Sequence, residues 1–227
     1  MASHSLARAR AANMSASTAP AWRVAIRQAL KKNGQNPTSK YAQMATVRAL
    51  DGAPSVRTIV FRGFFDDLVG DASDDERANA LVFCTDARSE KVRDIAGDAR
   101  GEMAWYFPET REQFRIAGTL ACATSGTAAD ETDARAREAL WRKMRRGARG
   151  QFLWPTPGGA RASVGEGEAD PHAVDESDAR LDDDATGEHF ALVSLRATRI
   201  DHLSLKRNER VVYEVVNGNW VATRVNP

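Results

Sequence analysis

The chain has 227 residues, which is enough for one domain with a full hydrophobic core, and its pattern indicates no second core. Its 32 basic and 31 acidic side chains nearly cancel, which excludes a global electrostatic field that would recruit nucleic acid or an anionic membrane. The longest apolar runs, such as ALVFC and FALVSL, are too short to cross a bilayer, so we expect a soluble protein without a membrane partner.

The N-terminal stretch MASHSLARARAANMSASTA is basic, rich in Ser and Ala, and free of carboxylates. This composition fits an organelle transit peptide and fits a disordered tail equally well. We therefore expect a tail at residues 1–19 and one domain at residues 20–227. The protein would be cytoplasmic, or would lie in a plastid or mitochondrion if the tail is a transit peptide.

The first predicted element is an amphipathic helix in WRVAIRQALKKNG, where Trp22, Ile26 and Ala29 share one face. Next, YAQMATVRAL and SVRTIVFRGFF flank DGAP, and Asp-Gly between two strand-like runs predicts a β-hairpin. An acidic loop then leads to a strand in ALVFCTD and a short helix in ARSEKVRDIAGD.

Two further strands are predicted in GEMAWYF and EQFRIAGTLACA, followed by a helix in DETDARAREALWRKMRR. Residues 160–187 are rich in acid, Gly and Ala and contain no aromatic side chain, which predicts a mobile loop inserted into the domain. The last strands lie in HFALVSLRATRI and RVVYEVVNGNWVATRV, with a type I′ turn at Asn-Gly. Helices interrupt the strands without alternating with them, so we predict a mainly β protein, an antiparallel barrel with peripheral helices.

The chain contains none of the common nucleotide or hydrolase motifs: GxGxxG, a Walker loop and GxSxG are all absent. Cys84 and Cys122 lie in strand-like runs without a CxxC pattern, so we expect buried free thiols. The four histidines have no partner at ligand spacing, and we predict no metal site.

Cationic side chains on or beside predicted strands stand out instead. Arg57 and Arg62 are five residues apart, so in a regular strand they would project from opposite faces unless a bulge re-aims one of them. They would then meet a ligand and a subunit contact, or lie solvated on an edge strand. Ser89 and Lys91 fall at a helix start directly after a strand, where a phosphate can bind, although an ordinary capped helix also fits.

Taken together, the segments RTIVFR, VFCTDARSEKV, EQFRIAG, ER and NWVATRVNP resemble those of the pyridoxamine 5′-phosphate oxidase-like FMN-binding split-barrel family. The resemblance extends over residues 22–227. It implies a split β-barrel of antiparallel Greek-key type that binds FMN, and a homodimer with FMN at the interface.

The resemblance also implies site residues. Arg57 and Lys91 would bind the FMN phosphate, and Gln113 and Arg210 would also contact the cofactor. The full implied cofactor set is Arg57, Thr58, Ile59, Val60, Phe61, Arg62, Cys84, Thr85, Ser89, Lys91, Gln113 and Arg210. The implied substrate set is Arg62, Arg146, Arg149, Lys206 and Asn208, with solvated helix-end arginines as the alternative for Arg146 and Arg149. No catalytic side chain is implied, because the flavin carries the chemistry.

The implied reaction is oxidation of pyridoxamine or pyridoxine 5′-phosphate to pyridoxal 5′-phosphate, in which a hydride passes to FMN and oxygen reoxidises the flavin. One departure affects the substrate: Lys206 and Asn208 stand where the family has Arg and His. Two other functions therefore stay open, a flavin reductase or oxidase acting on another small molecule, and a non-catalytic protein that binds FMN or pyridoxal phosphate.

Overall fold

The computed structural model describes residues 19–70, 77–128, 130–161 and 170–227. Apart from Ala19, the predicted N-terminal tail lies outside the described residues. Strands in the described part are β1 (Tyr41–Val47), β2 (Pro54–Val60), β3 (Gly63–Phe64), β4 (Leu81–Asp86), β5 (Arg100–Phe107), β6 (Glu112–Ala123), β7 (Phe190–Ser204), β8 (Glu209–Val216) and β9 (Asn219–Val225). The α-helices are α1 (Ala21–Lys32), α2 (Asp66–Val69), α3 (Glu90–Gly97), α4 (Glu131–Lys143) and α5 (Arg146–Arg149).

All of these strands belong to one antiparallel sheet that curls into a barrel. The order of the main path is β2-β1-β5-β6-β7-β4-β3, and its two end strands are separated by only two residues of chain. The sheet must therefore curl until its ends meet. At this seam the backbone N–H of Arg62, in the link between β2 and β3, donates to the Val82 carbonyl of β4 at 2.8 Å.

The barrel is split along β7, the longest strand. One edge of β7 pairs with β6, whereas the other edge pairs with β4 at residues 190–195 and with β8 at residues 199–204. The β8–β9 hairpin thus leaves the main path where β4 ends. This is the mainly β split barrel with peripheral helices that we predicted, and the fold prediction is confirmed.

The register of β6 and β7 shifts where β7 changes partners. Ala117 is opposite Arg199 but Gly118 is opposite Ala197, so Thr198 is an extra residue that bends the strand. A Cβ on Gly118 would lie 2.1 Å from the Arg196 carbonyl oxygen, a distance that no side chain tolerates. Glycine is therefore required at the point where the two backbones approach each other.

The barrel interior is filled by alternate residues of each strand and closed by α1. Met44, Trp105 and Phe114 are completely buried, and Trp22 and Ile26 of α1 pack into the same cluster. This is the α1 face predicted from the sequence, and its spacing explains why one stripe of the helix is apolar.

A second, smaller core lies outside the barrel between α4 and the sheet. Leu140, Trp141 and Phe152 pack there against Phe190 and Val82, which project from the outer faces of their strands. Strand β4 is buried on both faces as a result, which accounts for its unbroken apolar run.

The second half of the predicted insert, residues 170–187, packs against this outer core. Leu181 is fully buried, and the Trp141 indole N–H donates to the Asp182 carbonyl at 2.8 Å. Residues 162–169 lie outside the described part, and the mobility of the insert as a whole stays a prediction.

Both predicted hairpin turns are present. Gly52 has a φ of 74° in the turn between β1 and β2, and Asn217 and Gly218 have φ values of 51° and 78° between β8 and β9. Positive φ at both central residues is the type I′ geometry that Asn-Gly favours. Within the described ranges, no helix has the length and apolarity needed to span a membrane.

Candidate functional site

A cluster of polar and cationic side chains forms where β4 ends and α3 begins. The Lys91 ammonium donates to the Thr85 hydroxyl at 2.7 Å, and the Thr85 and Ser89 hydroxyls lie 3.2 Å apart. Ser89 occupies the N-cap position of α3, but its hydroxyl does not cap the helix. The first turn of α3 thus presents backbone N–H groups beside a lysine, which is a favourable arrangement for an anion.

Arg57 reaches the same cluster from β2. Its guanidinium donates to the Thr46 hydroxyl at 2.6 Å and to the Ser55 carbonyl and hydroxyl at 2.9 Å each, and one nitrogen lies 3.4 Å from the Asp94 carboxylate. Arg57 lies two residues before the buried Ile59, so both side chains belong to the face of β2 that is turned to the barrel interior. Near the end of the barrel this face opens beside α3.

Arg62 approaches the cluster from the seam. Arg62 lies two residues beyond Val60, where β2 ends, and next to Phe61, which is buried in the barrel core; its projection opposite to Arg57 stays a prediction. Its charge lies close enough to the Cys84 thiol on β4 to act on the pKa of that thiol. Burial raises the pKa of Cys84, although the charges of Arg62 and Lys91 act against this shift. Cys84 is accordingly a neutral thiol.

The cluster carries an excess of positive charge. Burial and the neighbouring Arg57 charge lower the pKa of Lys91 below its usual range. Among the described residues, Lys91 forms no ion pair with a carboxylate, and Asp94 is the acidic partner of Arg57. Three cations against one carboxylate leave two positive charges, which a phosphate dianion would balance.

The residues between Arg57 and Arg62 form one wall beside this cluster. Ile59 and Phe61 are buried in the barrel core, and the Phe61 ring packs on Trp105 with centroids 4.9 Å apart. Thr58 and Val60 point to the outside of the sheet, where Thr58 is exposed. The rigid strand can therefore offer a ligand backbone groups with little conformational freedom.

Gln113 and Arg210 are both in register with Leu203, on β6 and β8, and Arg210 belongs to a second charged cluster on the outer face of the sheet. Arg210 forms a two-point ion pair with Asp201, at 2.9 and 2.7 Å, and this pairing lowers the pKa of Asp201. Arg115 and Arg199 flank the same carboxylate at 4.0 Å. No contact in the described part of the protomer joins Arg210 to Arg57 or Lys91, so the structure does not gather the predicted cofactor residues into one group.

Arg146 and Arg149, predicted to meet a substrate, hold the 176–183 segment instead. Arg149 is 3% exposed and donates to the Trp141, Leu181 and Arg142 carbonyls and to Asp183. Arg146 binds Asp182 and two carbonyls of the same segment. These acceptors take up the donors of both arginines in place of solvent, and a substrate role for either arginine stays a prediction.

Lys206 and Asn208 are exposed in the turn between β7 and β8, and Asn208 has a φ of 53°. Beneath this turn, His202 stacks on Phe114 and its Nε2 lies 3.2 Å from Glu112. Burial lowers the pKa of His202, against the influence of Glu112. The turn thus rests on a buried polar pair.

Comparison with known proteins identifies the family. Residues 19–124 match the family model described as pyridoxamine 5′-phosphate oxidase, FMN-binding domain. The chain is 31% identical over 211 residues to pyridoxine/pyridoxamine 5′-phosphate oxidase 2 of Arabidopsis thaliana, and the match covers 91% of this chain and 96% of the plant protein. The chain belongs to the pyridoxamine 5′-phosphate oxidase-like FMN-binding family.

Solved structures agree with this assignment. A pyridoxamine 5′-phosphate oxidase-related, FMN-binding protein of Nostoc punctiforme superposes with a TM-score of 0.73 at 34% identity, covering 92% of this chain and 99% of that one. PhzG of Burkholderia lata shares the fold, with a TM-score of 0.62 at 17% identity and 90% coverage of both chains.

The cofactor of this oxidase-like chain is FMN. The donor set at the β4–α3 junction fits its phosphate, because Arg57, Lys91 and the first turn of α3 offer charge-assisted and backbone hydrogen bonds beside two uncompensated charges. Thr46 and Asp94, which contact Arg57, were not among the predicted site residues. No signal in the sequence marks them, since Asp94 lies 37 positions from Arg57.

Proposed function

We propose that this protein is an FMN-dependent oxidase that converts pyridoxamine or pyridoxine 5′-phosphate to pyridoxal 5′-phosphate with oxygen. The observation that carries the proposal is the cationic cluster of Arg57, Arg62 and Lys91 beside the α3 N-terminus, in a chain that aligns over nearly its whole length with a plant oxidase of this activity. Bound FMN would supply the redox chemistry, taking two electrons from the substrate and passing them to oxygen.

The chain itself would bind and orient. Arg57, Lys91 and Ser89 would hold the cofactor phosphate, and the strand from Thr58 to Phe61 would border the flavin. Arg62, which lies beside the neutral thiol of Cys84, would attract the anionic substrate.

A homodimer would complete the site. Gln113 and Arg210 lie apart from the phosphate cluster in one protomer, and a second copy would bring its own pair to the first copy's cofactor. The outer face of β1, β2 and β5 suits such an interface, since Tyr41, Val56 and Tyr106 are 46%, 69% and 47% exposed there. Replacing Val56 with Glu should then yield monomers that lose FMN, as measured by sedimentation and flavin absorbance, whereas a monomeric wild-type protein that retains FMN would contradict the interface.

The reaction is tested by anaerobic mixing of the FMN-loaded protein with pyridoxamine 5′-phosphate. Bleaching of the flavin absorbance, followed by recovery on admission of oxygen, is the expected result. Bleaching by NAD(P)H alone would instead identify a reductase, and no bleaching by either would identify a binding protein. Unphosphorylated pyridoxamine is the matched control, because it lacks the anion that Arg62 would attract.

A further inference from the structure

Asp94 of α3 is a buried carboxylate whose hydrogen bonds connect α3 to β1 and β2. Its side chain is 5% exposed, and it accepts from the Ala49 backbone N–H at 3.1 Å and from the Thr46 hydroxyl at 2.9 Å. Burial would raise the pKa of Asp94, but hydrogen bonds from Ala49, Thr46 and Arg57 hold it below its usual range. Asp94 is therefore ionised and can only accept hydrogen bonds.

The ionised carboxylate determines which way the Thr46 hydroxyl points. A hydroxyl has one proton, and an ionised Asp94 must receive it, so the lone pairs of Thr46 are left to accept from Arg57 Nη1 at 2.6 Å. The second nitrogen, Nη2, lies between the Ser55 hydroxyl and Asp94. Protein acceptors thus take up all four Nη hydrogens and fix the guanidinium, so a phosphate would meet its charge and the Nε–H.

Helix α3 also carries Lys91, one turn before Asp94. One rigid element thus sets the position of the lysine directly and the position of Arg57 through a carboxylate. The separation of the two cations does not depend on flexible loops, and a preorganised pair loses little entropy when an anion binds.

We propose that Asp94 and Thr46 are positioning residues that hold the Arg57 guanidinium in the orientation that binds the FMN phosphate. This inference rests on the proposed function, in which Arg57 is a phosphate ligand. A simple charge argument gives the opposite expectation, since an acidic residue beside an anion site weakens anion binding. The sign of the effect of a neutral substitution therefore distinguishes orientation from charge compensation.

Asp94→Asn is the informative substitution. The Ala49 N–H needs an acceptor, so the amide oxygen stays there and the NH2 group replaces the oxygen that faced Thr46 and Arg57. The new NH2 group then faces the Arg57 guanidinium, which is also a donor. The guanidinium therefore loses the acceptor that fixed its orientation. Thr46→Val removes the hydroxyl at nearly constant shape, and Thr46→Ser keeps it.

The test is titration of the full-length apoprotein with FMN and, in parallel, with riboflavin, which lacks the phosphate. We expect Asp94→Asn and Thr46→Val each to weaken FMN binding about tenfold, as for one charge-assisted hydrogen bond, with riboflavin affinity unchanged. Thr46→Ser, which keeps the hydroxyl, should bind FMN with wild-type affinity. Asp98→Asn is the matched control, because Asp98 follows α3 and pairs with the exposed Arg100 away from the cluster.

A double-mutant cycle completes the test. Asp94→Asn should cost nothing further in an Arg57→Ala background, because its effect passes through Arg57. Unchanged or tighter FMN binding by Asp94→Asn, equal losses for FMN and riboflavin, or additivity with Arg57→Ala would each overturn the positioning role alone. If Arg57→Ala itself binds FMN like the wild type, the phosphate site of the proposed function fails as well.

Discussion

Replacing Lys91 with Met separates the binding role of this residue from its effect on stability. Met keeps the length and the apolar stem of the side chain and removes the charge. Lys91 has one hydrogen bond to Thr85, and its other N–H donors would meet the cofactor phosphate. A hydrogen bond to a charged group contributes about 1.5–3 kcal/mol, so FMN affinity should fall about 10- to 150-fold.

The same substitution should stabilise the apoprotein. Burial and the Arg57 charge both lower the pKa of Lys91, which means that the ammonium is held in an unfavourable place when no anion is bound. Removing it should raise the midpoint of thermal unfolding of the apoprotein while FMN affinity, measured by flavin fluorescence quenching, decreases. Lys32→Met, at the exposed end of α1, is the control. If Lys91→Met binds FMN as tightly as the wild type, the reasoning about this site is wrong.

Three further substitutions probe the fold around the site. Gly118→Ala should destabilise the protein by about 2 kcal/mol or more in urea unfolding, because the new Cβ meets the Arg196 backbone, which cannot rotate away. A change below half that value would show that the two strands move apart easily and would contradict this reasoning. Burial lowers the pKa of His202, so the unfolded chain binds the proton more tightly, and the stability present above about pH 6.5 should be lost as the pH falls through the lower folded-state pKa. His202→Gln should therefore show a smaller drop in urea midpoint between pH 7.5 and 5.5 than the wild type, and parallel curves would refute this. Arg149→Met should expose residues 170–187 to proteolysis and cost about 2 kcal/mol, since four acceptors lose their donor, whereas Arg142→Met on the exposed face of α4 should change neither.

Local signals in the sequence predicted most of the fold. Asp-Gly and Asn-Gly marked the two hairpins because few residues tolerate positive φ, and the stripe of Trp22, Ile26 and Ala29 marked the buried face of α1. At the site, the strand-to-helix junction indicated Ser89 and Lys91, because an anion site needs free N–H groups and a cation at one place.

The remaining features depend on contacts between distant parts of the chain. The alternation of a regular strand could not be applied to Arg62 with the sequence alone, because nothing local shows that β2 ends at Val60, where the seam begins. Arg149 looked like a free cation because its acceptors are carbonyls, which any residue can supply. The burial of Asp94 depends on how α3 packs against β1, and a carboxylate in a polar helix gives no hint of it.

The closure of the barrel at its seam couples FMN binding to the stability of the fold. The anion-binding side chains come from β2 on one side of the seam and from the β4–α3 junction on the other. An unfolded chain therefore has no equivalent phosphate site. A ligand that binds only the native state stabilises that state by mass action. Above the dissociation constant, each tenfold increase in free FMN adds about 1.4 kcal/mol to the free energy of unfolding. The apoprotein should therefore unfold more readily than the FMN-bound protein.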